Sequence, residues 1–375
     1  MARSDNLRKA KEEQNDEFYT KIEDIVSEIV QHPDYVRHFE GKTVLCNCDD
    51  PEWSNFVEFF RKFFKKLKLK KMIATHFIPN EIITEQRPIL DKKGNPKKNK
   101  DGSIQMEEVV VKEIVHPSYK LEWYGEKING DTVNLIKTPL QGNGDFRSEE
   151  CVELLKEADI IVTNPPFSNQ LPVALVTLCL ENNKDFILIG DENMIAYKSF
   201  FPLFKEGKVF LGYTRPKEFR QPDGTFKKFG NKVWFTNLEI DKIHEPIPLN
   251  KNYKGNEEKY PKYYNYDAID VSTLKDIPKD YTEEMGVPIS IMESFCFDQF
   301  EIIGIGSEVP KTKDHISYKS KGIITYEKDG VVYWTTPYTV SERKAGNSLR
   351  LEKNGLPDKM PYNRIIIKRK QGGTF

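Results

Sequence analysis

No stretch of the 375 residues is apolar for long enough to cross a bilayer as a helix. The chain opens on Met1-Ala2-Arg3-Ser4-Asp5 and further charged residues, not on the apolar core of a secretory signal. A membrane protein is excluded on this reading and a cytoplasmic one expected. Cysteine is scarce: Cys46, Cys48, Cys151, Cys179 and Cys296 are odd in number, sit among apolar neighbours and lack the paired spacing of a zinc site. Reduced, buried thiols are expected, with no disulfide framework and no metal. Net charge is also nearly absent, at −1, but it is unevenly spread. Residues 311–375 hold 14 Lys and Arg against 6 Asp and Glu, a surplus of 8 that leaves the first 310 residues at −9. A nucleic-acid-binding region is one reading of that segment, and ordinary solvated surface is the other.

What is present suffices for a substantial core and two domains, since 38% of residues are hydrophobic and 12% aromatic. Glu12, Glu17, Glu23 and Glu28 interleave with Phe18, Ile22, Ile25 and Ile29, the pattern of a loop entering an amphipathic helix. Thr43 to Cys48 reads as a buried strand ended by Asp49-Asp50-Pro51, Ser54 to about Lys68 as a helix with its phenylalanines on one side, and Met72 to Phe77 as a second strand. Strand-helix-strand units of this kind build parallel sheets. Between Thr84 and Val115 the turn-rich Asp91-Lys92-Lys93-Gly94-Asn95-Pro96 predicts an inserted hairpin, whose lysines approach DNA or, more simply, make a solvated tip. The α/β rhythm resumes with a helix over Ser148–Lys156, a strand over Asp159–Thr163, a helix from about Ser168, a strand over Phe186–Ile189 and a helix from Asn193 to Phe204. Strands at Val209–Leu211 and Val233–Thr236 flank a polar loop with Arg215, Arg220, Lys227 and Lys228. Short β-like runs such as Ile302–Ile305, Gly322–Tyr326 and Val331–Trp334 dominate the remainder, so a domain boundary is expected at 245/246.

The sharpest chemical signal is Ile160-Ile161-Val162-Thr163-Asn164-Pro165-Pro166-Phe167. Two prolines after a buried strand forbid its continuation and fix Asn164 at the carboxyl edge, where open α/β sheets bind ligands. The lone pair of an adenine N6 amine is delocalised into the ring, and an enzyme must accept hydrogen bonds from both N–H groups to free it. A side-chain amide oxygen and a proline carbonyl supply that pair of acceptors, and Phe167 would stack on a base rotated out of the duplex. With an activated methyl donor the protein's task is alignment and desolvation. A Pro-Pro turn after an ordinary strand accounts for the same residues without catalysis. Upstream, Gly142-Asn143-Gly144-Asp145-Phe146-Arg147 would hold a cofactor's adenine through Asp145 and Phe146, or it is a helix cap beside a core phenylalanine.

The ordered set Asn15-Asp16-Glu17-Phe18-Tyr19-Thr20, Cys46-Asn47-Cys48-Asp49-Asp50-Pro51, Gly144-Asp145-Phe146-Arg147-Ser148 and Asn164-Pro165-Pro166-Phe167 resembles the EcoRI-type adenine-specific DNA methyltransferases. The likeness extends through Trp234-Phe235-Thr236-Asn237-Leu238, Tyr260-Pro261-Lys262-Tyr263, Tyr266-Asp267-Ala268-Ile269 and Met285-Gly286-Val287-Pro288-Ile289, to about residue 305. It implies an α/β fold, a Rossmann-like methyltransferase sheet over 1–245 followed by a mixed, β-rich target-recognition region over 246–375. It implies S-adenosylmethionine as cofactor, with Phe18, Tyr19 and Thr20 over its methionine end, Asn47, Asp49 and Asp50 lining its pocket and Asp145 with Phe146 at its adenine. Asn164, Pro165, Pro166 and Phe167 would form the catalytic motif for a flipped adenine in duplex DNA.

A glycine-rich turn after the first strand, common among methyltransferases, is missing: Asp49-Asp50-Pro51-Glu52-Trp53 stands there, which leaves open whether Asp49 or Asp50 faces the cofactor. His76-Phe77 ends the second strand where a ribose-binding carboxylate is usual, with Glu81 a weak substitute, so the ribose ligand is open as well. Arg215, Arg220, Arg343, Lys344 and Arg350 are the candidate DNA contacts, while Lys368-Arg369-Lys370 is an arm or a solubilising tail. A monomer is expected, since each strand of a palindrome can be modified separately. A cognate restriction endonuclease is one partner such a family implies, a phage or solitary enzyme being the alternatives. Two other functions fit part of the pattern: methylation of a protein glutamine amide, which poses the same lone-pair problem, and a catalytically silent DNA-binding protein on the same fold.

Overall fold

Thr43-Val44-Leu45-Cys46 and Ile160-Ile161-Val162-Thr163 offer no polar face to water, and both form strands buried on both sides. The structure, a computed structural model, describes residues 18–125, 135–167, 170–221, 223–309, 316–319, 323–328, 331–334, 349, 351–353, 356–357 and 364–370. Arg343, Lys344, Arg350 and the chain before Phe18 lie outside the described residues. The chain divides into two units, Met1–Glu192 with Leu211–Glu239, and Asn193–Phe210 with Ile240–Phe375.

The first unit begins with β1 (Tyr19–Thr20), α1 (Ile22–Ile29), α2 (Tyr35–Phe39), β2 (Thr43–Cys46), α3 (Asn55–Phe63) and β3 (Lys71–Thr75). A hairpin of β4 (Glu81–Pro88) and β5 (Met106–Ile114) precedes β6 (Tyr119–Trp123) and β7 (Leu135–Pro139). Then come α4 (Glu149–Glu157), β8 (Ile160–Thr163), α5 (Leu171–Glu181) and β9 (Asp185–Asp191). The helix expected from Asn193 to Phe204 is instead a 3-10 turn, Glu192–Ala196, and a short α6 (Phe201–Lys205) in the second unit. Pro202 explains the break, because proline is tolerated in a helix only at its first turn. The chain returns through β10 (Phe210–Leu211), β11 (Glu218–Arg220), β12 (Phe226–Lys228) and β13 (Lys232–Thr236).

The main sheet has eight strands in the order β10-β13-β9-β8-β2-β3-β6-β7. Its middle, β9-β8-β2-β3, is parallel, while β13, β6 and β7 run antiparallel to their neighbours, making the sheet mixed. From β2 the chain passes to β3 on one side and later to β8 on the other. The strand order therefore reverses between β2 and β8, and a crevice opens at their carboxyl ends. Val44, Cys46, Met72, Ala74, Ile160, Val162, Ile187 and Ile189 alternate onto one face and pack against Ile25 and Ile29 of α1 and Phe56, Phe59 and Phe60 of α3. Ser54 starts α3 by accepting from Phe56 N (3.1 Å), and Ser148 caps α4 by accepting from Cys151 N (3.3 Å).

In the second unit β14 (Ile269–Asp270), β15 (Met285–Pro288), β16 (Phe300–Ile305) and β22 (Arg364–Arg369) form a sheet in the order β14-β15-β22-β16. Strands β17 (Ile316–Lys319), β18 (Ile323–Lys328) and β19 (Val331–Trp334) pair antiparallel, and β20 (Glu352–Lys353) pairs with β21 (Leu356–Pro357). Asp270 is buried and accepts from the Tyr263 hydroxyl (2.5 Å) and from Arg364 Nε (2.8 Å), which spares it the cost of an unpaired charge. Among the described residues no helix is long and apolar enough to cross a membrane, and all five cysteines are free thiols.

Glu28, fully buried on α1, accepts from Tyr213 N (2.9 Å), Thr214 N (2.7 Å) and the Thr214 hydroxyl (2.7 Å), tying the first helix to the chain that follows β10. Truncation would strand two half-buried N–H groups and the Thr214 hydroxyl. Glu28→Ala is therefore expected to lose about 3 kcal/mol of stability, read as a lowered urea midpoint; an unchanged midpoint would remove this anchor from the account.

Candidate active site

The carboxyl ends of β2 and β8 are held together by one buried side chain. Asp49 accepts from the Ser54 hydroxyl at Oδ1 (2.7 Å) and from the Thr163 hydroxyl at Oδ2 (2.5 Å), with Asn164 N at 3.4 Å from Oδ2. Thr163 Oγ1 in turn accepts from Cys48 N (3.1 Å), and the Thr75 hydroxyl at the end of β3 donates to Asn47 O (3.0 Å). Three neighbouring strand ends are thus knitted by side chains where the ladder stops. Burial pushes the Asp49 carboxyl up to about 6, even though its bonds from Thr163, Ser54 and Asn164 N pull the other way.

Asn164 follows β8 directly, and Pro165-Pro166 stop the strand there. Its side chain is buried, and Nδ2 donates to the carbonyl of Phe18. A carbonyl can only accept, so this contact dictates which end of the amide is which and leaves Oδ1 pointing elsewhere. Asn164 Oδ1 has no hydrogen-bond partner, and neither has Asn47 Nδ2 on the adjacent strand end. Leaving a buried polar atom unbonded costs about 1–3 kcal/mol, so both atoms call for a partner, water or ligand, at this place.

Both residues line a cleft of about 850 Å³, its open mouth included, a size that suits a nucleoside-bearing ligand. Of the sequence candidates, Phe18, Tyr19, Asn47, Asp49, Asp50, Asp145, Phe146, Asn164 and Pro166 line it. Thr20 is buried outside the lining, with its carbonyl accepting from Asn55 Nδ2 (2.7 Å), and Pro165 and Phe167 also fall outside. Cys48, His76, Phe77, Gly144, Arg147 and Leu171 complete the wall without having been singled out for it. Gly144 explains how two distant segments meet. Its φ is +84°, and a Cβ there would lie 1.9 Å from the His76 carbonyl oxygen, so no other residue permits this approach. Ile78 N donates to Asn143 O (2.8 Å) beside it.

Asp50 pairs with His76 Nδ1 (3.0 Å), whose ring stacks on Tyr119. Burial alone would raise the Asp50 carboxyl, but the bonds from His76 and from the Glu52 and Trp53 amides outweigh it and hold the group below its ordinary value. The Asp50 carboxylate, from the end of β2, thus stands beside the end of β3. Asp145 is gripped by Arg147 through Nε (2.9 Å) and NH2 (2.6 Å) and accepts from Arg147 N (2.8 Å).

The sequence profile of the family described as adenine-specific methyltransferase EcoRI matches residues 6–370. The chain belongs to the EcoRI family of adenine-specific methyltransferases. It is 38% identical over 315 residues to Type II methyltransferase M.EcoRI of Escherichia coli, which covers 79% of this chain and 88% of that protein. It is 37% identical over 316 residues to Type II methyltransferase M.MpnI of Mycoplasma pneumoniae, covering 79% of this chain and 84% of that one. A Type II methyltransferase of Mycoplasma genitalium is 34% identical over 317 residues, or 80% and 85% of the two chains. No solved structure matches.

As an EcoRI-family methyltransferase the chain acts on DNA, and the residues beside Asn164 bear on how. The Phe167 ring lies parallel to that of Phe18, with centroids 5.7 Å apart, and meets the edges of Phe219 (5.5 Å) and Phe229 (5.7 Å). The Lys232 ammonium sits 3.9 Å from its centroid and 3.3 Å from Asp191 Oδ2. Strand β1 pairs with β11 so that Tyr19 faces Arg220, which binds the exposed β11–β12 hairpin to the backbone that orients Asn164. Arg215 forms a two-pronged pair with Glu192 (2.8 and 3.1 Å), which commits that guanidinium to the fold. Among the described residues no cluster of His, Cys, Asp and Glu could hold a metal.

The raised Asp49 carboxyl makes stability depend on pH. Between 3.8 and about 6 the folded chain keeps a proton that the unfolded chain releases. This contribution is fully present below pH 4 and is lost as pH rises through about 6, by about 3 kcal/mol in all. The difference in unfolding free energy between wild type and Asp49→Asn should fall by that amount from about pH 4 to about pH 7.5; a constant difference would show that Asp49 titrates normally when folded.

Proposed function

We propose that the protein transfers the methyl group of S-adenosylmethionine to the N6 amine of an adenine rotated out of duplex DNA. The observation that carries this reading is the buried, unpartnered Oδ1 of Asn164, a residue of the cleft wall whose Nδ2 is committed to the Phe18 carbonyl. One acceptor placed there takes one N6–H of the target amine, and the Pro165 carbonyl, held by the second proline, takes the other. Accepting a hydrogen bond from each N–H draws the nitrogen toward a tetrahedral geometry and takes its lone pair out of conjugation with the ring, with both protons still on nitrogen. Extrusion of the base costs a few kcal/mol of stacking, offset by these bonds and by stacking on Phe167. The Lys232 ammonium now lies against that ring, and a base stacking there displaces it, exchanging a cation–π contact for a stack of similar size, about 1–2 kcal/mol.

The residues present fit the cofactor. S-adenosylmethionine supplies a sulfonium-activated methyl group, so no metal or covalent nucleophile is required of the chain. Asn47 offers a free amide donor, the Asp50 carboxylate beside His76 suits ribose hydroxyls, and Phe146 suits an adenine ring with Asp145 at its amine. Phe18 and Tyr19 cover the methionine end, with Thr20 buried behind them. Asp49 is better described as the brace that holds Asn164 than as a ligand, since it is buried with both oxygens bonded across the strand ends, whereas Asp145, though paired with Arg147, remains partly exposed in the cleft wall. In this reading residues 1–245 form a Rossmann-like catalytic domain, and 246–375, with the basic surplus, read the target sequence. Arg220, Arg343, Lys344 and Arg350 contact phosphates. The protein works in the cytoplasm as a monomer, in a restriction-modification pair with an endonuclease of the same site.

Asn164→Ala is expected to lower methyl transfer by about 100- to 1,000-fold, the scale on which losing one preorganised hydrogen-bonding group acts, while calorimetry shows the cofactor still bound. Turnover within tenfold of wild type would overturn the assignment of Asn164. Gly144→Ala, which drives a methyl group into the His76 carbonyl, should instead weaken cofactor binding by tenfold or more; unchanged affinity would show that the two loops are free to separate.

A further inference from the structure

The hairpin of β4 and β5 plays no part in the cleft, yet it leaves the sheet at the cleft's rim. Phe77 lines the cleft, Ile78 is bonded to Asn143, and β4 begins at Glu81. The two strands pair from Glu81↔Ile114 to Pro88↔Met106, with a bulge at Ile83/Thr84. Eight residues of ribbon span about 27 Å, close to the 34 Å of a DNA helical turn. A two-stranded ribbon is marginal in water on its own, so one carried this far from the core invites a reason.

Beyond Pro88 the tip is built and not frayed. Ile89 N donates to Gln105 O, Lys97 N to Ile89 O and Gln105 N to Lys97 O, each at 2.8 Å. Asp91 Oδ1 accepts from Lys93 N (2.7 Å) and Asn95 N (2.9 Å), and Asp101 Oδ1 from Ser103 N (3.0 Å). Gly94 (φ +85°) and Gly102 (φ +87°) supply the left-handed positions of the two turns. On this small scaffold stand Lys92, Lys93, Lys97, Lys98 and Lys100, all exposed, against Asp91 and Asp101. The ribbon below carries the opposite sign: Glu81, Glu85, Glu107, Glu108 and Glu113 against Arg87 and Lys112. Among the described residues none of the five tip lysines is in an ion pair.

We propose that the β4–β5 ribbon is a DNA-contacting arm whose lysine tip binds backbone phosphates up to about 8 base pairs from the flipped adenine, at 3.4 Å per step. The acidic stem is repelled by the duplex and acts as a spacer, so contact is confined to the tip. The contacts are to phosphate and carry no sequence information; the arm adds affinity and orientation to the base-reading surface. This inference rests on the reading of the protein as a DNA methyltransferase.

The test compares wild type with a variant carrying Lys92→Gln, Lys93→Gln, Lys97→Gln, Lys98→Gln and Lys100→Gln, by anisotropy on an unmethylated mixed-sequence duplex of about 30 base pairs across 50–200 mM NaCl. A second variant joins Ile89 to Gln105 through Asn-Gly, which removes the tip with a turn suited to a hairpin. Each phosphate contact contributes about 0.9 to the slope of log affinity against log salt. Both variants should lose at least that much slope and up to about 4. A slope unchanged within one contact's worth in both variants, with wild type still methylating DNA, overturns the arm alone. Failure of wild type to methylate any duplex overturns the reading beneath it.

Discussion

The bond between Asp49 and Thr163 crosses the one point where the parallel strands part company. Strands β2 and β8 are neighbours in the sheet but lead in opposite directions, and beyond Cys46 and Thr163 no ladder hydrogen bonds remain to keep them in register. A carboxylate at that place is costly, and its raised proton affinity records the cost. What it secures is a fixed separation between Asn47 on one side and Asn164 on the other, the two amides with buried atoms that lack protein partners. Without the brace, Asn164 would be an ordinary residue on a turn. With it, and with the Phe18 carbonyl fixing its amide's orientation, Asn164 holds an unpartnered acceptor in the wall of the cleft.

The same logic extends outward from the crevice. Gly144 lets the loop after β7 reach the end of β3, and His76 there draws Asp50 into a pair, so the walls derive from six short stretches scattered between residues 18 and 171. The site is assembled by close approaches and shared hydrogen bonds between loops, each short, none sufficient alone. Family membership agrees with this construction: the profile match runs from residue 6 to 370, including the segments that form the cleft.

Much of this was legible in the residues. Buried apolar runs announced β2, β3, β8 and β9, helical periodicity announced α3 and α4 from about Ser54 and Ser148, and two prolines announced where β8 must stop. Other parts were not, for physical reasons. β6 and β7 carry Lys120, Glu122 and Lys137 and show no apolar run, because antiparallel strands near a sheet edge need bury only one face. The pair of Asp50 with His76, and the contact of Gly144 with His76, join residues 26 and 68 apart in sequence, and local pattern carries no information about such distances. The Phe167 stack on Phe18 likewise depends on the path taken by β1, a two-residue strand with no signal of its own.

The central claim is that this cleft methylates adenine in DNA. Incubating the protein with methyl-labelled S-adenosylmethionine and unmethylated duplex DNA of varied sequence, then digesting to nucleosides, tests it most directly. The account predicts that the label is recovered in N6-methyladenine and in no other nucleoside. Label in cytosine, or none in DNA while the cofactor is bound, would contradict it.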